Sequence, residues 1–391
     1  MPLPARNTLA IVGAGPIGLE AAAAAVERGF DVHVFERGEP GAHAIAWGHV
    51  RMFTPWSMNL GPASARLLAR HGWSAPDPDA RPTGAELVER LIAPLAATPE
   101  LASRLHAHAQ VVQVSRLGAL RGDGVGTPER REHPFRLMVR DSGGRESYLH
   151  AFSLIDASGV YGTPRAAGTG GIPARGEQYL APQLSYHCND VRGLRRERHA
   201  GRRTLVIGSG ACAATTVAEL AALAVEAPGT SVAWVTRRPA PRLAGEIGGA
   251  DPLPARAALH AAAHAFMRGE HAAVTWIGGA EVDGFEYNSA THRYRVTLLG
   301  ASGNRVEEAD EIVVNTGYGP DGSLHRELQV RELDGPPAPG ADAFESAEPG
   351  FWIVGAKSFG RANTFLLRTG FEQVARALDG AAQALREPAS R

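Results

Sequence analysis

From residue 9 the chain alternates short apolar runs with polar breaks. Leu9 to Val12 is a continuous apolar run, a glycine-rich break follows, Ile17 to Arg28 is rich in alanine, and Asp31 to Phe35 is again apolar and β-branched. Short apolar runs bounded by glycine predict buried strands, and the longer alanine-rich stretch between them predicts a helix. Gly41 to Gly72 has no clean period and is richer in Trp, Met, His and Arg, which predicts a loop region crossing the top of a sheet. In "PTGAELVERLIAPL", Pro82 to Leu95, apolar residues recur at helical spacing behind a Pro-Thr-Gly start, so a helix is expected. Strands are expected at Val111 to Val114 and Phe135 to Val139. Ser142-Gly143-Gly144 then turns the chain into a further strand pair ending at Ile155.

The opening pattern returns in "TLVIGSGACAATTVAEL", Thr204 to Leu220, where a strand again runs into a glycine turn and a helix, with the next strand at Ser231 to Val235. A fingerprint repeated at about one domain's spacing is far less easily a chance match than a single one. Glycine- and proline-rich stretches at Gly168 to Gly176 and Gly335 to Gly340 mark expected boundaries. Strand-like "EIVVNTG" (Glu311 to Gly317) and "GFWIVG" (Gly350 to Gly355) follow, then a final helix from Asn363 to Leu385.

Composition narrows the function. At 391 residues the chain exceeds one ordinary core, which suggests two domains. Its 40 basic and 41 acidic residues give no electrostatic reason to expect nucleic acid or an anionic membrane, so small-molecule chemistry is the default. The first apolar run lacks the flanks of a signal peptide, and no run approaches the roughly 20 residues that span a bilayer, so a cytoplasmic location is expected. With only Cys188 and Cys212, neither in a CxxC pair, neither a disulfide framework nor a cysteine-rich zinc site is expected, and no metal is assigned.

The glycine spacing carries the chemistry. Gly13 permits a tight bend, Gly15 lets backbone amides approach a pyrophosphate, and Gly18 lets the helix pack closely on the strand. Pro16 and Ile17 open that helix, whose amide terminus and dipole suit phosphate. Glu36 closes the second strand about 20 residues on, where an acid binds ribose hydroxyls, and Arg37 follows it. In the second turn Gly208 and Gly210 repeat the first two roles, Ala211 opens the helix, and Ala213 stands in the third glycine's place. There the following strand ends in Thr236, Arg237 and Arg238 instead of an acid. A guanidinium suits a 2′-phosphate, so NADPH is expected over NADH.

Two dinucleotide turns with the second domain inserted into the first resemble the two-dinucleotide-binding flavoproteins, in which the first site takes FAD and the second NADPH. "LIDASGVYGTPR" (Leu154 to Arg165) and "DEIVVNTGYGPD" (Asp310 to Asp321) look like the two copies of the strand these proteins place between the domains. The chain is similar to the class B flavin-containing monooxygenases. Its blocks "GHVRMFTPWSMN" (Gly48 to Asn59), "PTGAELVERLIAPL" and "PGFWIVGAKSFGRANTFLLRTGFEQV" (Pro349 to Val374) resemble the flavin monooxygenases that accompany arsenic-resistance operons.

The resemblance implies an α/β fold of two Rossmann-like domains: FAD-binding at 1–165 and 309–391, NADPH-binding at 166–308. It implies cofactor contacts at Trp56, Val112, Ser158, Gly159, Thr316, Gly317, Gly355, Lys357, Asn363 and Thr364. Three departures stand out. Around His187, "APQLSYHCNDV" keeps only the His of the class B signature FxGxxxHxxxY. Where many relatives have Gly-Asp, Gly355 is followed by Ala356 and Lys357, and Lys has no acceptor lone pair for a ribityl hydroxyl. The stretch 336–344 is shorter and less polar than in the arsenic-operon relatives.

The expected activity is an NADPH-consuming, FAD-dependent monooxygenase that transfers one oxygen atom from a flavin hydroperoxide to a heteroatom or carbonyl of a small molecule. O2 and that substrate are the partners, and a homodimer is left open. Candidate catalytic residues are Arg51, read as a buried guanidinium with an anionic partner, together with Asn59 and His187. His187 also fits a hinge histidine, Trp56 and Cys212 also fit core positions, and Asn363 also fits a cap of the final helix. An NADPH:acceptor reductase without a dithiol and a nucleotide-binding redox sensor remain as alternatives.

Overall fold

The computed structural model describes residues 3–239, 243, 251–301, 303–330 and 346–386. The expected boundary at 335–340, and the stretch 336–344 noted from the sequence, lie outside them. The chain divides into two units, one of Met1–Thr163 with Gly319–Arg391 and one of Pro164–Tyr318. The second unit therefore runs about ten residues past the expected return at 309. The reason is the strand Glu311–Val314, which pairs in parallel with Arg203–Ile207 of the second unit.

The units repeat one plan. In the first, five parallel strands run in the order Phe351–Ile353, Ser153–Asp156, Thr8–Val12, Asp31–Phe35, Leu105–His106, beside an antiparallel sheet of Ala109–Arg116, Phe135–Asp141 and Glu146–Ala151. In the second, the parallel order is Val274–Gly278, Ser231–Thr236, Arg203–Ile207, Glu311–Val314, again with three antiparallel strands, Ala280–Asn288, Arg293–Gly300 and Arg305–Ala309. Parallel strands covered on both faces read as unbroken apolar runs, and Thr8–Val12 and Glu311–Val314 are buried at every position.

The helix Pro16–Glu27 shows why its sequence is alanine-rich. Ile17 to Ala25 are all buried, and small side chains let it sit close to the helices Pro62–Arg70 and Leu367–Arg386. Its one buried acid, Glu20, acts at a distance. The carboxylate accepts from Ala63 N at 2.9 Å, Ser64 N at 2.8 Å and Ser64 Oγ at 2.6 Å, capping a helix that has no side-chain cap of its own.

The region 41–72 is not the predicted loop. It holds helices Ala42–Ala46, Trp56–Asn59 and Pro62–Arg70. The helix predicted at 82–95 starts at Gly84 behind a Thr83–Glu86 capping box and contains a π turn, Val88–Ile92. Pro94 accounts for the irregularity: it has no N–H and its ring crowds the carbonyl of Arg90. That carbonyl accepts from Trp73 Nε1 at 2.8 Å instead.

On the other face of the first sheet lies a buried charge cluster. Glu348 accepts from Arg116 Nε at 2.7 Å and Arg130 Nε at 3.0 Å, and Arg116 lies 3.6 Å above the Phe135 ring. All three side chains are at most 1% exposed. Burial alone would raise the Glu348 carboxyl, but its bonds to Arg130, Gln329 N and Arg116 outweigh it and hold it below its usual range. No described helix is long and apolar enough to cross a membrane.

Candidate functional site

The first unit contains a cavity of ≈ 350 Å³ at the C-terminal ends of its parallel strands, the usual ligand position of such sheets. Gly13, Gly15, Pro16, Ile17, Glu36, Arg37, Val112, Ser158, Gly159, Gly355 and Lys357 all line it.

The three glycines of its turn differ in kind. Gly13 has φ +102°, and a Cβ there would lie 2.7 Å from Ala157 O. At Gly18 a Cβ would meet Gly13 O at 1.8 Å. Both are therefore required by the chain itself. Gly15 is different: φ −79° and ψ −175° suit any residue, and a Cβ would meet nothing within 4 Å. The chain supplies no reason for glycine at the cavity wall, whereas a ligand lying against the backbone would.

Glu36 spans the turn, accepting from Ala14 N and Gly38 N, each at 2.9 Å. Beside it Arg37 reaches His43 Nε2 at 2.7 Å, and the His43 ring lies 5.3 Å from that of Tyr161. Trp47, Met52, Leu87, Phe365 and Leu367 give the cavity an apolar side.

Lys357 is buried, and its ammonium donates to Asp156 Oδ2 at 2.7 Å and to Ser158 Oγ at 3.3 Å. Burial alone would raise the Asp156 carboxyl, but the Lys357 charge and bonds from Lys357 and Ser158 hold it below its usual value. Asp156 was not among the residues expected from sequence. The signal was available, because a lysine inside an apolar motif needs a counter-charge.

The second turn is built alike. Val12 pairs with Phe35, and Ile207 with Val235, so Gly208 corresponds to Gly13 and Thr236 to Glu36. Gly208 has φ +134° and a Cβ there would lie 2.1 Å from Asn315 O. Gly210, with φ −89° and ψ 178°, again has nothing within 4 Å of a Cβ. Ala211 begins the helix Ala211–Glu226, and Ala213 is fully buried in it. Trp234 Nε1 holds Gly208 O at 2.8 Å, Thr236 Oγ1 accepts from Trp276 Nε1 at 3.0 Å, and Arg237 and Arg238 are exposed at the strand end. Thr316 Oγ1 donates to Arg165 O at 2.6 Å, next to Gly317 at φ +91°.

Several expected site residues lie elsewhere. Arg51 is not buried: its side chain is 51% exposed, and its guanidinium meets Arg81 O and, at 3.4 Å, Glu86 of the capping box. Asn59 is fully buried but closes a local loop, accepting from Thr54 Oγ1 at 2.7 Å and donating to Thr54 O at 2.9 Å. Trp56 belongs to the core of the first unit. None of the three lines the cavity.

Asn363 and Thr364 are exposed, and the final helix begins only at Leu367. His187 lies in the second unit, half-buried, with Nδ1 3.0 Å from Tyr318 OH; burial pushes its pKa down. Asn315, which sequence reasoning missed, accepts from Thr216 Oγ1 at 2.8 Å and donates to His187 O at 3.2 Å.

A family profile for NAD(P)-binding Rossmann-like domains matches residues 11–57, which span the first glycine turn and its acid. No curated protein matches the sequence. Solved structures of similar fold include the bacillithiol disulfide reductase of Bacillus cereus, with 19% identity, TM-score 0.69, and 96% of this chain and 99% of that one covered. The ornithine hydroxylase of Pseudomonas aeruginosa gives 14% identity and TM-score 0.65, covering 97% and 99%. The ornithine N-hydroxylase of Kutzneria sp. 744, solved with reduced FAD, NADP+ and L-ornithine, gives 17% and 0.63, covering 98% and 99%. The fold is thus that of the flavoproteins with two dinucleotide-binding domains.

Proposed function

We propose that the chain is an FAD-dependent, NADPH-consuming monooxygenase, with FAD held by the first unit and NADPH by the second. The carrying observation is Gly15: glycine where neither backbone angle nor neighbouring atoms ask for it, on the wall of a cavity that contains no cysteine. The residues fit the cofactor. The Gly13–Gly15 amides and the start of the helix Pro16–Glu27 suit a diphosphate, and Glu36 suits ribose hydroxyls.

When bound, a flavin accepts hydride from NADPH and activates O2 for transfer of one oxygen atom to a heteroatom or carbonyl. The chain's own part is to bind and orient the group and to keep water from the apolar side formed by Trp47, Met52, Leu87 and Phe365. Arg237 and Arg238 stand where a 2′-phosphate would be read in the second unit.

The chain's own cysteines do not suit thiol chemistry. Burial raises both thiols, that of Cys188 to about 12, so neither offers a thiolate near neutral pH. Electrons must then leave to oxygen or to an external acceptor. The likeness to two ornithine hydroxylases supports the oxygen route for a small-molecule substrate.

A second reading, an NADPH:acceptor reductase, is favoured by one observation: Arg51 and Asn59, chosen for oxygen chemistry, lie outside the cavity. The test is to reduce the protein with NADPH under nitrogen and follow flavin reoxidation on mixing with oxygen or with a quinone. Rapid reoxidation by oxygen and slow reduction of the quinone are expected. Rapid quinone reduction with sluggish oxygen reoxidation would overturn the monooxygenase reading in favour of the reductase.

A further inference from the structure

The strand position of Asp156 does not itself demand a charge. Val12 pairs with Asp156 in the first unit as Ile207 pairs with Val314 in the second, so the second unit fills the same position with valine. A buried ion pair is often no more stabilising than apolar side chains of the same volume, so its presence beside the cavity calls for a local reason.

Three observations supply one. Lys357 is 4% exposed and Asp156 0%, yet Lys357 lines the cavity. An ammonium has three donors, and the bonds to Asp156 and Ser158 use two of them. The pair also adjoins the phosphate turn. A Cβ on Gly13 would lie 3.0 Å from the Ser158 Cα, and one on Gly355 would lie 3.5 Å from Ile17, in the first turn of the helix Pro16–Glu27. The positive end of that helix and the Lys357 charge therefore stand at one end of the cavity.

We propose that Lys357 is an anion ligand for the diphosphate of the bound dinucleotide, and that Asp156 is the counter-charge that keeps its ammonium buried and aimed before the ligand arrives. This rests on the dinucleotide reading above. Asp156 acts through Lys357 and is a positioning residue. Its negative charge also opposes the incoming diphosphate, so neutralising it strengthens binding.

The test titrates flavin-stripped full-length protein with FAD, ADP and riboflavin at several salt concentrations and records the melting temperature of each ligand-free variant. Lys357→Met is expected to weaken FAD and ADP by about tenfold or more, to leave riboflavin unchanged, and to flatten the salt dependence. Asp156→Asn should bind FAD several-fold more tightly. Because Lys357→Met strands a buried carboxylate, the double variant Asp156→Asn/Lys357→Met is decisive: it should regain the lost melting temperature and still bind FAD more weakly than Asp156→Asn does, by about tenfold or more. A double variant that binds FAD as tightly as Asp156→Asn does would reduce Lys357 to a structural counter-ion. Equal weakening of FAD and riboflavin would move its contact to the ribityl chain. If the wild type takes up neither FAD nor ADP, the dinucleotide reading fails and this assignment goes with it.

Discussion

The two glycine turns follow the same backbone course and are held by different side chains. In the first, Glu36 bonds to Ala14 N and Gly38 N, and the approach is so close that Gly18 has no room for a Cβ. In the second, Thr236 replaces the acid, the Trp234 indole holds Gly208 O, and Ala213 carries the methyl that Gly18 cannot. The third glycine is thus a matter of how tightly strand and helix pack. The first is set by a left-handed φ in both turns. Only Gly15 and Gly210 are left without an internal cause, and they are the positions a dinucleotide would occupy.

That comparison is broken most directly at Gly15. Gly15→Val should fold with a ligand-free melting temperature near that of the wild type and lose FAD by on the order of a thousandfold, about 4 kcal/mol; Gly210→Val should spare FAD and lose NADPH-driven reduction. Full flavin occupancy in Gly15→Val would remove the dinucleotide from that turn. Gly13→Ala should do the reverse, destabilising the fold by about 2–4 kcal/mol because its Cβ collides with Ala157 O at φ +102°. Denaturant unfolding checks it, with Ala213→Gly costing only about 0.5–1 kcal/mol as the contrast.

The acid-against-arginine difference is sharpened by Arg237→Ala/Arg238→Ala. The NADPH preference should fall by roughly 10–100-fold, mainly in KM, as expected for losing charged hydrogen bonds worth about 1.5–3 kcal/mol. An unchanged NADPH/NADH ratio would put the 2′-phosphate elsewhere. Smallest of all should be Arg51→Ala. An exposed guanidinium facing Glu86 contributes about 0–1 kcal/mol, so stability, FAD occupancy and oxygen coupling should stay near wild type. A marked rise in peroxide release from this variant would return Arg51 to the site.

What the sequence disclosed was local. Strand Asp31–Phe35 and the two strand-turn-helix units are legible because apolar runs and glycine spacing act over a few residues. The helix Pro62–Arg70 was not, since its cap is Glu20, 43 residues earlier. Asp156 hid for the same reason, with its partner 201 residues on. The exposure of Arg51 is not legible, because an aromatic-rich stretch without a period says nothing about which side chains face water. The return to the first unit is not legible either, because Glu311–Val314 resembles Ser153–Asp156 so closely; only its pairing with Arg203–Ile207 assigns it to the second unit.

The cluster of Arg116, Arg130 and Glu348 has a consequence for the order in which the protein is made. The carboxylate lies 232 residues beyond one guanidinium and 218 beyond the other. At usual rates of translation, both arginines leave the ribosome roughly 10–40 s before the carboxylate that pairs with them. The edge strand Phe351–Ile353 emerges in the same late interval. The inserted unit, by contrast, has all its strands once Val314 has been added. The body that comes second in the sequence is therefore the first that can close, and the cavity beside the first glycine turn is among the last parts of the nascent chain to be finished.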